Sequence, residues 1–169
     1  MKLFKGLIFF TVLFALSRIV PHPPNFTPLL SGAIFLPYLF EDKRAVVLLP
    51  ILMMLATDFI LGFHGLMLWT YASFFIIGLL SLQFFKLTLN RVLMLSLASP
   101  ILFFVITNFG VWAESDLYSK SVEGLMACYA LGIPFYANTA VSTLLFSSCF
   151  FFIASLLREK SVFKNIRLL

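Results

Sequence analysis

The chain is 169 residues long, 62% apolar and only 11% charged, with a formal net charge of +5. A soluble domain carries about 25% charged residues and under half apolar ones, and a chain of this length cannot bury so large an apolar excess, which excludes an ordinary water-soluble globule. The composition is that of one integral membrane domain over residues 1–169, and it is all-α, because a lipid-exposed segment must satisfy its own backbone.

A membrane helix needs about 20 mainly apolar residues. The first apolar run, 7–17, lies between Lys5 and Arg18 and reaches full length if those two long side chains snorkel. Its lysines, short oily core and "ALS" also resemble a cleavable signal peptide, but Arg18 and a proline cluster follow without a small-x-small site. The second run, 27–40, ends at the charged patch Glu41, Asp42, Lys43, Arg44. Runs 45–62, 65–85, 92–112 and 137–157 complete six expected spans. The intervening 121–136 is too oily for an ordinary loop and too short for a span, and reads as an outer-face helix or re-entrant piece. With both termini inside, ten of the 12 Lys and Arg residues fall on the inner side, and only Arg18 and Lys120 outside. That is the positive-inside pattern of a multi-pass protein of the bacterial inner membrane. The basic excess therefore reads as orientation and contact with the lipid bilayer, not as a nucleic-acid surface.

This topology gathers the unusual residues at the outer mouth. Arg18, His22 and "PHPPN" end the first helix, and Asp58, Gly62 and His64 end the third. Asn108, Trp112, Glu114 and Asp116 end the fifth, and Glu123, Tyr129 and Asn138 follow. An ionisable group inside a span is costly and points to function by default, so Asp58 is the leading candidate. The bland alternatives are that it reaches headgroup water or pairs with Arg18 as a helix pin. Arg18 offers a five-donor fork for carboxylate or phosphate. Trp112 and Tyr118 suit an interfacial aromatic belt, Asn108 suits ligand orientation, and Asn138 reads either so or as a helix N-cap.

Several chemistries find no motif. No P-loop or HExxH occurs, no GxSxG occurs, and a single aspartate within the spans leaves no aspartyl dyad. An enzyme is not the expectation, although one acting on lipid or quinone headgroups is a minor alternative. His22, His64 and Asp58 have no fixed ligand spacing, so neither metal nor cofactor is expected. Cys128 and Cys149 read as packed thiols. A channel wants a polar line through the full depth, and a stand-alone carrier shows repeated halves; neither pattern is visible. What remains is one part of a larger machine, binding a small-molecule solute outside and energised by partners, or else a structural or assembly membrane protein.

The stretches "RIVPHPPNFTP", "DFILGFH", "TNFGVW" and "EGLMACYALGIPFYANT" resemble the motifs of small bacterial membrane proteins described as putative transport proteins. That group is similar to the substrate-binding S components of energy-coupling factor (ECF) vitamin transporters. The resemblance covers residues 18–139. It implies an outer-facing pocket and, as partners, a transmembrane coupling subunit with ATPase subunits. It also implies solute-binding roles for Arg18, His22, Asn25, Asp58, His64, Asn108, Trp112, Glu123, Tyr129 and Asn138. Two positions depart from the pattern. No acid follows Asn138-Thr139 in the run to Thr143, and only Thr11 and Ala15 approximate the small-residue groove of the first helix.

Overall fold

The computed structural model describes residues 12–39, 42–83 and 88–159. Six helices and no strands occur among them: α1 (12–19), α2 (Leu29–Leu39), α3 (Lys43–Leu61), α4 (Met67–Ser81), α5 (Leu89–Glu114) and α6 (Val122–Glu159). Four of the expected helices, α2 to α5, lie within a few residues of their predicted positions, and α1 ends two residues past its predicted end, with its expected start outside the described residues. Thr11, both terminal tails and the signal-peptide alternative fall on residues outside those described.

The helix ends follow from local chemistry. Asp42 caps α3 by accepting the Arg44 N–H at 2.8 Å, and Thr88 caps α5 by accepting from Arg91. These side chains satisfy backbone donors that a first turn leaves unpaired. Gly62 ends α3 with φ +102°, a conformation a side chain disfavours, and its N–H returns to Asp58 O at 2.8 Å. At the far end of α5 the Lys120 ammonium donates to the carbonyls of Trp112 and Ser115. A cation there meets the negative end of the helix dipole.

The short helix α2 is the hub. Residues 28–35 are buried throughout, and α2 packs against α3, α4, α5 and α6. Phe14 of α1 joins Leu29, Leu30 and Ala33 of α2, Met53 and Met54 of α3, and Phe74 and Ile77 of α4 in the main core. A second cluster of Ile34, Phe35, Val92 and Leu95 packs on Phe150 and Phe151. Ser31 Oγ donates to Thr143 O at 3.0 Å and fastens α2 to α6.

One expectation is corrected. The segment 121–136 is not a separate outer-face helix or re-entrant piece: from Val122 on it is the first part of α6, a single helix of 38 residues that runs through Pro134. Its early turns lie along α5: the Tyr129 hydroxyl donates to Val105 O at 2.8 Å, and the rings of Tyr129 and Tyr136 pack on Phe104. The two helices are close enough that a Cβ on Gly132 would lie 2.5 Å from Asn108 Oδ1. Proline has no N–H to give to the carbonyl four residues back, so the helix passes through Pro134 with that one hydrogen bond missing.

Two of the helices, α5 and α6, are long and apolar enough to cross a membrane, while the apolar parts of α3 and α4, Val47–Leu61 and Met67–Ser81, are shorter.

Candidate functional site

The stretch that begins the site is set by proline chemistry. Pro23, Pro24, Asn25 and Phe26 form a tight turn closed by the Phe26 N–H to Pro23 O at 3.0 Å. Pro24 supplies the fixed φ of the second position and Asn25, with φ +63°, the left-handed third, which is the arrangement of a type II turn. The turn is anchored to α6, where the Asn138 amide donates to Pro24 O at 3.0 Å. Pro28 is fully buried and its carbonyl accepts the Gly32 N–H at 2.9 Å, so α2 starts directly beneath the turn.

Under this turn lies a cavity of about 340 Å³ to which all six helices or their connections contribute. His22, Asn25 and His64 are exposed and form its rim. Leu29, Leu30, Met54, Phe74 and Thr139 are buried and form its floor, with Phe103 beside them. Arg18, Thr27, Leu61 and Thr70 complete the wall.

Arg18 is held from behind. Asp58 is 0% exposed and forms an ion pair with the Arg18 guanidinium. The other Asp58 oxygen accepts the Tyr71 hydroxyl at 2.6 Å. Arg18 also donates to Thr57 Oγ1 and to Met54 O, the latter at 3.2 Å. Each carboxylate oxygen thus has one partner, an ion pair on one side and the Tyr71 hydroxyl on the other, and the group ties α1, α3 and α4 together. The guanidinium has five donors, and these partners do not use them all. Its side chain stays 16% exposed, at the cavity wall.

The candidates from the sequence thus separate into groups. Arg18, His22, Asn25 and His64 meet at the cavity, with Asp58 behind Arg18 rather than on the wall. Asn138 anchors the rim turn from within α6, which removes its reading as an N-cap. Asn108, Trp112, Glu123 and Tyr129 do not line the cavity. Asn108 donates to Phe104 O at 2.9 Å, and its own carbonyl accepts the Cys128 thiol. Trp112 Nε1 donates to Ser119 O at 3.0 Å, and Glu123 is exposed in the first turn of α6. These four belong to the α5–α6 pairing and its connecting loop. Beside them Trp69 of α4 donates to Glu114 at 2.7 Å. Among the described residues no group of three or more His, Cys, Asp or Glu is placed to hold a metal ion.

Thr57, Thr70, Tyr71, Phe74 and Phe103 also belong to the site or its support, although the sequence does not single them out. The first three carried a usable signal: polar side chains inside oily runs need a partner, and Thr57 adjoins Asp58 while Thr70 and Tyr71 adjoin each other. The two phenylalanines are lost among the 22 of the chain.

No curated protein and no solved structure matches the chain. Its sequence matches a family profile over residues 2–165, and the chain therefore belongs to the family of unknown function DUF6580.

Proposed function

We propose that the protein is a multi-pass protein of the bacterial inner membrane whose outward-facing cavity holds a small solute, and that it serves as the solute-binding subunit of a transport system rather than as an enzyme. The observation that carries this reading is the cavity itself, with a guanidinium clamped at its wall and a deep apolar floor. Small-molecule sites are concave, mostly apolar and fitted with a few fixed polar groups.

The surface supports a lipid setting. Leu52, Phe59, Phe75, Leu97 and Phe152 are exposed, Phe59 to 78%, while Ser31, Ser73, Ser81, Ser96 and Ser142 are buried. A soluble protein avoids exposing apolar area on this scale, whereas helices in lipid turn small residues toward one another. The shorter apolar lengths of α3 and α4 are compatible with a bilayer that thins locally or with snorkelling flanks. The cavity lies toward the opposite end of α3 and α5 from Arg44 and Arg91, which supports an outward reading by the distribution of basic residues. Partner subunits that couple and hydrolyse ATP follow from the motif resemblance to ECF S components.

A second reading draws on the burial of Asp58. A buried carboxylate paired with a neighbouring helix also suits a structural or assembly protein whose ion pair only pins helices. Affinity purification of the tagged protein from its own membranes in mild detergent separates the two. Co-purifying ATPase and coupling subunits together with a bound small molecule are the outcome expected of the transport reading. Recovery with other membrane proteins only, and no small molecule, would favour the assembly role.

A further inference from the structure

We infer that the cavity selects an uncharged ring compound carrying both a carbonyl-type acceptor and an N–H donor, and discriminates against carboxylates and phosphates; this rests on the solute-binding reading above. The first argument is charge. Among the residues lining the cavity Arg18 alone carries a formal charge, with histidines counted neutral. That charge is already balanced by Asp58, which is buried behind it. Asp58 cannot turn aside without leaving the Tyr71 hydroxyl unpartnered as well. An anionic solute would therefore enter a net-neutral, largely apolar site and leave one charge uncompensated, which is costly. A neutral solute adds no such charge.

The second argument is the set of hydrogen-bonding groups. The unused Arg18 donors point to an acceptor on the solute. The Thr70 and Thr139 hydroxyls donate to the carbonyls of Leu66 at 3.2 Å and Phe135 at 2.8 Å. Each has then spent its proton and keeps oxygen lone pairs that accept. His22 Nδ1 lies 2.7 Å from Pro23 O, which places the proton of the neutral ring there and leaves Nε2 as an acceptor. One donor fork with several acceptors matches a ring amide or a heteroaromatic base. The apolar body of the solute meets Phe74 and Phe103, whose rings pack edge to face at 6.0 Å. The volume is at the low end of small-molecule sites.

The test uses purified full-length protein in equilibrium dialysis at pH 8 against benzamide, benzoate and phenyl phosphate, one ring with three head groups. Benzamide should bind at least about tenfold tighter than benzoate, the least gap an uncompensated charge should leave, and phenyl phosphate more weakly still. In Asp58→Asn the guanidinium loses its counter-charge, so the preference should reverse. Benzoate should then raise the melting temperature of that variant but not of the wild type. If Asp58→Asn does not fold, the wild-type ranking decides alone. Equal binding of benzamide and benzoate, or a preference for either anion, overturns the inferred solute class and leaves the cavity standing as a solute site. No binding of any probe also overturns the class. A mass adduct on the native protein that disappears in Thr139→Trp then tells that failure apart from failure of the solute-binding reading.

Discussion

Asp58 shows how one side chain answers two questions. It is buried and paired with Arg18, yet it does not line the cavity. It orients the residue that does. Replacing it by asparagine leaves Arg18 without a counter-charge, and removal of one partner from a buried pair costs about 3 kcal/mol. Thermal unfolding in detergent should register that loss, and an unchanged melting temperature for Asp58→Asn would sink the positioning role. Tyr71→Phe leaves the second carboxylate oxygen without its donor and should cost about 1–2 kcal/mol by the same measurement. The joint replacement Arg18→Met with Asp58→Leu should be far milder than the single changes added together, since an apolar pair leaves no orphaned charge. The sequence made Asp58 and Arg18 conspicuous because charge inside an oily run is rare. It did not make Tyr71 conspicuous, because a tyrosine among apolar residues looks the same whether its hydroxyl has a partner or not.

At the scale of elements, the continuous α6 is where pattern and structure part. Glycine and proline punctuate helices in water, and Gly132 and Pro134 fall where the separate segment expected over 121–136 would end. Here Gly132 allows α5 and α6 to approach, and the helix runs on through Pro134. Spin labels on the exposed native Cys149 and on Met126→Cys, with Cys128 replaced by serine, should lie about 34 Å apart along an unbroken helix. A distance many ångströms shorter would restore the re-entrant piece. Gly132→Ala should destabilise the bundle by about 1–3 kcal/mol, because its Cβ would press on Asn108 and on the Phe104 ring. Helices α2 to α5 were legible from apolar run length and charged borders. The central position of α2 was not, because hydropathy carries no record of which helix the others surround. The division of the candidate residues into a cavity and a separate α5–α6 corner was hidden for a similar reason: placing residues at the same end of a bundle does not fix which helix faces they occupy.

At the scale of the whole molecule, the sidedness of the cavity and its occupancy can each be measured. On sidedness, His64→Cys should react with a membrane-impermeant maleimide on right-side-out spheroplasts, and Arg44→Cys only after permeabilisation. The reverse pattern would place the cavity inside. On occupancy, the most direct measurement is native mass spectrometry of the protein released gently from its own membranes, wild type beside Thr139→Trp, whose indole would fill the cavity floor. A discrete added mass is expected on the wild type and not on the filled variant. A bare wild-type chain, or an adduct that survives in Thr139→Trp, would contradict solute binding in this cavity.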